Sequence, residues 1–347
     1  MQKLVRSRAA LGIAGLSLLA GCAGAISGTP AGTGTLAQSA QRATRPVMLA
    51  SGAPWLRVGA AGAKQSRIKR GAGTVLVTQS FANSTTKGWY SKDSACLTAG
   101  TGSAPKGSIK ACGADAPLDP PGGGALELTA ATYHDLGLAG YHEPLPTANG
   151  LDIQFTLYAF DGTMPGADGT LLYLSDGALR HPTIPAGSGG SLGYIQGNKG
   201  RGLAHAYLGI GFDEYGNFST FLPGGPGVIP ETIALGGAEA IGYEYIGGVT
   251  NGSGEPASLP FNLDSPGSTT RPANAPTIDV SLTSAGHLEV AIDIHDGNGP
   301  VTYISETIVG VKGQPAVPAS VFVGFIGSTG GSYNRHQIGN LTISTLN

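Results

Sequence analysis

Short segments in which apolar and polar residues alternate recur through the second half of the chain. The segment Leu151–Phe160 reads LDIQFTLYAF, so its first, third, fifth and seventh residues are apolar and the residues between them are polar. Successive residues of a strand face opposite sides of a sheet, so this pattern predicts a strand with one buried face. Thr277–Leu282 and His287–Ile294 alternate in the same way. The turn-forming residues 296–299 (DGNG) then lead into Val301–Ile308, which predicts a hairpin.

Apolar runs predict further strands at Thr170–Leu174 and Ala206–Phe212, and Val321–Ile326 and Gln337–Ser344 complete the set. Almost no segment keeps a helical spacing over three turns. The chain has 58 Gly and 23 Pro, which punctuate it at short intervals as turns between strands do. These patterns predict an all-β fold of two packed antiparallel sheets.

The first residues have a different character. Lys3, Arg6 and Arg8 precede the uncharged apolar stretch Ala9–Leu19. This stretch is shorter than the roughly 20 residues that a membrane-spanning helix needs, so it predicts a secretory signal. The small residues before Cys22 resemble a bacterial lipobox, which implies a signal peptide over residues 1–21 and acylation of Cys22, for instance with palmitate. An ordinary cleaved signal with an incidental cysteine is the alternative.

Ala23 follows Cys22, whereas an Asp at this position would have suggested retention in the inner membrane. We therefore expect a lipid-anchored protein of the outer membrane, on its periplasmic face or at the cell surface. The membrane is then one partner of the chain, through its lipid anchor.

Charge is distributed unevenly along the chain. The net charge is −2, but residues 1–72 contain ten Lys and Arg and no acid, and residues 73–347 carry a net −12. Residues 22–72 are rich in small residues and have few apolar side chains that could build a core, so they predict a flexible basic tether. The strongly acidic remainder, residues 73–347, argues against nucleic acid as a partner and is long enough for one large domain.

Two cysteines remain after Cys22. Cys96 and Cys112 flank a loop rich in Gly, Ser, Lys and Pro. An even pair in an exported protein predicts a disulfide, because a metal site would need more Cys or nearby His.

Four glycine-rich motifs follow one another in this acidic part: residues 167–169 (ADG), 189–193 (GGSLG), 208–217 (LGIGFDEYGN) and 323–331 (VGFIGSTGG). Their order and spacing resemble the L-type (legume-like) lectins, most closely their bacterial relatives. The similarity covers about residues 73–347. It implies a concanavalin-like jelly-roll sandwich that binds carbohydrate and has no catalytic activity.

The resemblance also implies roles for particular residues. Asp168, behind a cis peptide, would accept hydrogen bonds from sugar hydroxyls, and Gly190 would donate its backbone N–H. Asn217 would contact the sugar, and the Tyr215 ring would stack on it. A loop that tunes specificity would contain Gly331, Ser332, Tyr333 and Asn334. The alternative for Asp168 is a simple turn, since Asp-Gly is a common turn pair.

A metal site is suggested by residues as well as by resemblance. Asp213, Tyr215 and Asn217 stand two apart, so in extended chain they share a face. A carboxylate, a backbone carbonyl and an amide oxygen suit Ca²⁺. However, Gly211 stands where the family has Glu, and residues 218–225 contain no Asp or His. A transition metal is therefore not expected, the calcium site is incomplete, and binding without metal or loss of binding both stay open.

Other chemistries fit the sequence less well than sugar binding. Residues 189–193 match the G-x-S-x-G of serine hydrolases, but the motif needs a strand, a sharp elbow and a helix, and no helix is predicted after Ser191. A concanavalin-like glycoside hydrolase needs two carboxylates facing one cleft, and glycines bracket the Asp213-Glu214 pair. The polar residues 293–296 fit a hairpin turn better than a metal cluster, and His336 fits a packed residue. A structural or adhesion domain without sugar affinity is the third alternative.

Overall fold

The computed structural model describes residues 64, 68, 71, 73–103, 105–116, 118–183, 185–196 and 202–346. The predicted signal peptide, Cys22 and most of the predicted tether lie outside the described residues. The described residues form seventeen strands and one short helix. They are β1 (Val75–Gln79), β2 (Trp89–Asp93), β3 (Cys96–Thr101), β4 (Ala111–Gly113), β5 (Leu126–Thr129), β6 (Leu136–Tyr141), β7 (Leu145–Pro146), β8 (Leu151–Phe160), β9 (Gly169–Asp176), β10 (Ala206–Asp213), α1 (Phe218–Phe221), β11 (Thr232–Gly236), β12 (Tyr245–Gly248), β13 (Thr277–Leu282), β14 (His287–Asp293), β15 (Val301–Thr307), β16 (Ser320–Ser328) and β17 (Arg335–Ser344).

The strands form two sheets. The back sheet has the order β15-β14-β13-β8-β17-β5-β3-β4, with β1 also paired to β17. The front sheet has the order β12-β11-β10-β9-β16-β6-β2, with β7 paired to β16. Neighbouring strands are antiparallel, apart from the parallel pair β3 and β4. The predicted all-β, concanavalin-like sandwich of antiparallel sheets is confirmed.

Apolar side chains from the facing sheets fill the space between them. Phe155 of the back sheet contacts Phe212 and Phe325 of the front sheet, with ring centroids 5.9 and 5.0 Å apart. All three rings are fully buried. Along β8, the residues that share a face with Phe155 are buried and Gln154 is exposed, as the alternating sequence predicts.

A second apolar cluster covers the outer face of the front sheet. The Tyr194 ring lies over Gly209 and Gly236, where an added Cβ would come within 2.8 and 2.7 Å of it. The Phe218 ring lies over Gly211 in the same way, at 2.4 Å from an added Cβ. The glycines of these strands thus leave room for loop aromatics. Because both faces are covered, β9 and β10 form continuous apolar runs in the sequence.

The predicted disulfide is confirmed. Cys96 of β3 and Cys112 of β4 are bonded, with their Cα atoms 4.9 Å apart. The bond joins the two strands at one edge of the back sheet.

Three described residues of the predicted tether contact the sandwich. The Lys64 N–H donates to the Thr302 carbonyl (2.6 Å), and the Gly71 N–H donates to the Leu346 carbonyl (3.1 Å). The Ile68 N–H donates to a carboxylate oxygen of Glu289 (3.1 Å). Within the described part of the chain, no helix is both long and apolar enough to cross a membrane.

Candidate functional site

Four neighbouring strands of the front sheet end side by side, and their loops form one surface, here called the loop end. Asp168 directly precedes β9, whose Gly169 pairs with Asp213 at the end of β10 and with Ser328 at the end of β16. Ser328 pairs in turn with Leu136 at the start of β6. The loop end therefore brings together residues 213–218, 164–168, 329–334 and 130–135, in that order across the sheet.

Asp168 is held at the centre of the loop end. The peptide bond before it is cis, as the resemblance implies. Its N–H donates to the Ser328 carbonyl (2.9 Å), and its carbonyl accepts from the N–H groups of Glu214 and Tyr215 (3.1 and 3.3 Å). Its side chain is 4% exposed, and Oδ2 has no hydrogen-bond partner among the described residues. Burial raises the pKa of this carboxyl to about 6.

Asn217 and two glycines lie against this carboxyl. The Asn217 side chain hydrogen bonds to Asp168. A Cβ added to Gly190 would lie 1.9 Å from Asn217 Oδ1, and one added to Gly330 would lie 2.8 Å from Asp168 Oδ2. Asn217 Oδ1 is buried and has no partner within the described chain. The structure thus brings Asp168, Gly190 and Asn217 together, and only glycine permits this approach of the backbone.

The opening above Asp168 is formed by residues that are exposed, as Tyr215 and Gly331 are, or half-buried, as Ser332 is. Tyr215 is 38% exposed and adjoins Asp168 through its own N–H. Ser332 accepts the Gly330 N–H at its carbonyl (3.1 Å), which folds the loop of residues 330–332 back on itself. A Cβ added to Gly331 would meet no atom within 4 Å. Gly331 and Ser332, two of the residues predicted to tune specificity, therefore lie at the opening, whereas Asn334 of the same predicted loop is fully buried and cannot contact a ligand directly.

Asp213 has a different role from the one that its position in the motif suggests. Its side chain is fully buried, and its Oδ1 and Oδ2 accept the backbone N–H groups of Gly216 (2.8 Å) and Phe218 (2.7 Å). Burial raises the pKa of this carboxyl well above its usual value. Asp213 therefore fixes the fold of the loop that carries Tyr215 and Asn217.

The predicted calcium ligands do not fit a calcium ion as they stand. Ca²⁺ takes six to eight oxygen ligands. Here Asp213 is the only carboxylate of the set, and both of its oxygens accept N–H bonds. Among the described residues, acid, His or Cys ligand atoms gather in threes only at Cys96, Cys112 and Glu127, where the two cysteines are bonded to each other. The Phe218 ring also fills the space beside Gly211, at 2.4 Å from an added Cβ, so no ligand side chain has room there.

Beneath the loop end lies a buried polar cluster that sequence reasoning did not find. Asn334 Nδ2 donates to the carboxylates of Glu214 (2.6 Å) and Asp264 (2.8 Å). His336 Nε2 lies 3.1 Å from Glu214 Oε1. An added Cβ on Gly166, two residues before Asp168, would lie 2.1 Å from Asn334 Nδ2. The cluster therefore supports three of the loops from below. Its members come from segments that are distant in sequence, so no local motif predicts the cluster.

Asp264 of this cluster and the nearby Glu231 have raised pKa values. Burial, with repulsion from Glu214, raises the pKa of Asp264 to about 7. Burial, with repulsion from Asp264, raises the pKa of Glu231 well above its usual value. Burial at these two positions therefore favours the protonated form of Asp264 and of Glu231.

Ser191 and His295, which could have indicated a hydrolase or a metal site, both have structural roles in turns. The Ser191 hydroxyl donates to the Gly187 carbonyl (2.5 Å), and Ser191 belongs to a short 3-10 turn. This is a turn-stabilising role and not the strand-to-helix elbow of a serine hydrolase. His295, in the turn between β14 and β15, is exposed and donates its N–H to Asp293.

Comparisons with known proteins give likenesses of fold. No protein-family model matches the chain, and no curated protein matches it. Among solved structures, the exoplasmic/lumenal domain of VIP36 in its Ca²⁺/Man-bound form is 16% identical, with 75% of this chain and 84% of that chain covered and a TM-score of 0.47. Lectin I-B4 of Griffonia simplicifolia, metal-free, is 16% identical (77% and 98% covered, TM-score 0.48), and lectin II of Ulex europaeus is 14% identical (78% and 99%, 0.49).

Proposed function

We propose that this protein binds carbohydrate, without catalysis, where Asp168, Gly190, Tyr215 and Asn217 converge. One observation carries the proposal: a buried carboxylate oxygen without a partner among the described residues lies beside an amide and two close-packed glycines. A buried acceptor of this kind is costly unless something donates to it, so the site suits a ligand rich in hydroxyl groups.

The chemistry of these groups matches a sugar. Each sugar hydroxyl donates one hydrogen bond and accepts others, so a sugar site needs donors and acceptors together. The ionised Asp168 carboxylate only accepts, the Gly190 backbone donates, and the Asn217 amide does both. Tyr215 offers an apolar ring face for the C–H side of a pyranose, while its hydroxyl stays in water.

Binding is favoured over hydrolysis by the orientation of the other acids. Glycoside hydrolysis needs a pair of carboxyl groups about 5–10 Å apart and facing one cleft. Here the Asp213 oxygens are held by backbone N–H groups, and Glu214 points into the cluster with Asn334 and His336. Neither of these two acids is therefore free to act with Asp168 as a second catalytic carboxylate. The alternative, an adhesion domain without sugar affinity, is tested by the same experiment.

The proposal does not need calcium. The loop that a calcium ion would order is already fixed by Asp213. We therefore expect sugar binding to persist in a chelator.

The proposal also includes the location of the domain in the cell. The basic residues before Ala9–Leu19 and the lipobox-like residues before Cys22 support an exported protein, lipid-anchored in the outer membrane. Wild-type protein should incorporate a palmitate analogue and Cys22→Ala should not. Labelling that survives the substitution would remove the anchor from the proposal.

A glycan array tests the sugar site with Asp168→Asn. The amide keeps the shape of the carboxylate but turns one acceptor into a donor. A hydrogen bond to a charged group contributes about 1.5–3 kcal/mol, so affinity should fall by one to two decades. The melting temperature should stay the same or rise, because a buried charge is removed.

The matched control is Asp176→Asn, at the opposite end of the same strand β9. It should retain the wild-type glycan profile. If Asp168→Asn binds the same glycans with wild-type affinity, the site is wrong. If the wild type binds no glycan at all, with or without added calcium, the adhesion alternative takes the place of the lectin proposal.

A further inference from the structure

Part of the outer face of the back sheet is covered. The residues of β14 that pack in the core are Leu288, Val290 and Ile292. Glu289 lies between the first two of them, so its side chain points to the outer face. Glu289 and its cross-strand partner Ser281 on β13 are nevertheless both 0% exposed. Since one face of an antiparallel sheet can lie open to water, their burial means that another segment of the chain lies over them.

The segment that contacts this face precedes β1. Lys64 forms an antiparallel bridge with the edge strand β15. Further along the chain, the Ile68 N–H donates to Glu289 Oε1 on β14 (3.1 Å). The Gly71 N–H then donates to the Leu346 carbonyl, just past the end of β17 (3.1 Å). These described residues therefore contact successive parts of the back sheet, from its edge inwards.

Three acids lie together on the same face. Glu289 and Asp152 pair with Ser281 from its two sides, and Asp279 stands two residues before Ser281 on β13. The Ser281 hydroxyl donates to Asp152 (2.6 Å), and the Ser305 hydroxyl donates to Glu289 (3.1 Å). Asp279 is only 8% exposed. Carboxylates gathered on a covered face repel one another, so cations in the covering layer would stabilise them.

The segment before β1 has this charge. Residues 64–70 read KQSRIKR, which gives four Lys and Arg among seven residues and no acid. The segment and the face that it contacts are therefore complementary in charge.

We propose that residues 64–71 are a strap that docks on the acidic outer face formed by Asp152, Asp279 and Glu289, with the cations of the strap binding these acids. The part of the chain that is free to act as a tether would then end before Lys64. The strap also covers the edge strand β15, whose backbone N–H and C=O groups could otherwise pair with another chain. This inference is independent of the sugar site, which lies at the loop end of the front sheet.

Limited digestion of the full chain with trypsin tests the docking. Trypsin cuts after Lys and Arg, and the chain offers Arg57 before the strap and Arg67, Lys69 and Arg70 within it. A docked segment is cut only when it opens, so we expect the three strap sites to be cut at least about tenfold more slowly than Arg57. Mass spectrometry of timed digests measures each rate. Equal rates at all four sites would overturn the proposal.

Glu289→Gln tests the acidic face. The amide keeps the shape of the side chain and removes the charge that the strap would bind, so cutting within the strap should become at least about threefold faster while the rate after Arg57 stays the same. The matched control is Glu143→Gln, an exposed acid just past β6 of the front sheet, which should keep the wild-type rates. Wild-type rates in Glu289→Gln would contradict the role of this acid.

A second pair of variants leaves the sandwich unchanged. The strap triple variant replaces Arg67, Lys69 and Arg70 with Gln, and the tether triple variant replaces Arg42, Arg45 and Arg57 with Gln. The strap variant should melt at least about 2–4 °C lower than wild type, because the covered acids lose their cations, and the tether variant should melt at the wild-type temperature. Glycan affinity should be unchanged in both. Equal melting temperatures for the two triple variants would show that the strap cations do not bind this face.

Discussion

Asp168 shows how a local motif can indicate where a candidate site residue lies in the fold. The sequence Ala-Asp-Gly before an apolar run places this acid directly ahead of a buried strand, and strand pairing then sets it between two neighbouring strand ends. Gly190 and Asn217 were indicated by the resemblance to L-type lectins, through the short glycine-rich motifs in which they lie. Gly190 and Asn217 can pack closely against each other because the motif has a glycine, and no side chain, at position 190.

Other residues at the loop end could not be predicted in this way. Asn334, Glu214 and Asp264 meet only because the two sheets and an intervening loop pack together. Asp213 was predicted as a calcium ligand, and its sequence position did not reveal that its carboxylate accepts N–H bonds from its own loop.

The close approach at Gly190 predicts a specific mutational effect. Gly190→Ala would place a methyl group 1.9 Å from Asn217 Oδ1, so the amide must move away from Asp168. We expect glycan affinity to fall at least about tenfold, the loss of one hydrogen bond of about 1.4 kcal/mol. Gly252→Ala, in the loop after β12, is the matched control, since its Cβ would also meet nothing within 4 Å. Equal binding by both alanine variants would show that this approach is irrelevant to binding.

At the scale of elements, prediction succeeded where a strand has one clear pattern. β8 and β13 coincide with the predicted segments Leu151–Phe160 and Thr277–Leu282, because each has one face in the core and the other outside it. The hairpin of β14 and β15 was marked by its turn. The patterns did not predict β3 (CLTAGT) or β6 (LGLAGY), since their buried residues include Gly, Thr and Ala, which carry little hydrophobic contrast.

The disulfide joins two strands, β3 and β4, that the hydrophobic pattern did not predict. It joins β3 to the three-residue strand β4 at an edge of the back sheet. Closing a loop of this size, 16 residues in sequence separation, contributes roughly 3 kcal/mol through the entropy of the unfolded chain. The double variant Cys96→Ala, Cys112→Ala should therefore lose roughly that much free energy of unfolding in urea titration.

The glycan profile of this double variant should be unchanged, because β3 and β4 are not among the four strands whose loops form the loop end. A variant that keeps its stability would mean that the edge is held by its other contacts. A variant that keeps its fold but loses glycan binding would connect this edge to the loop end in a way that the contacts do not show.

For the whole molecule, the burial of acids links folding to pH. An acid whose pKa is higher in the folded chain than in the unfolded chain binds more protons when folded. The free energy of unfolding then rises as pH falls through the folded pKa and levels off near the unfolded value. Asp264 and Asp168 have folded pKa values raised to about 7 and about 6 from 3.8, and those of Asp213 and Glu231 are also raised. The excess of acids in residues 73–347 acts in the same direction, since protonation reduces their mutual repulsion.

Stability and sugar binding should therefore respond to acid in opposite directions. From pH 8 to pH 5 the melting temperature should rise, while glycan affinity should fall below pH about 6, because a protonated Asp168 presents a donor where the sugar needs an acceptor. The two measurements share one sample series, so a general loss of fold would lower both and is easily recognised. In Asp168→Asn the rise in melting temperature should be smaller, since one of the titrating acids is gone. A glycan affinity that stays constant from pH 7 to pH 5 would show that the Asp168 carboxylate is not the acceptor for the sugar.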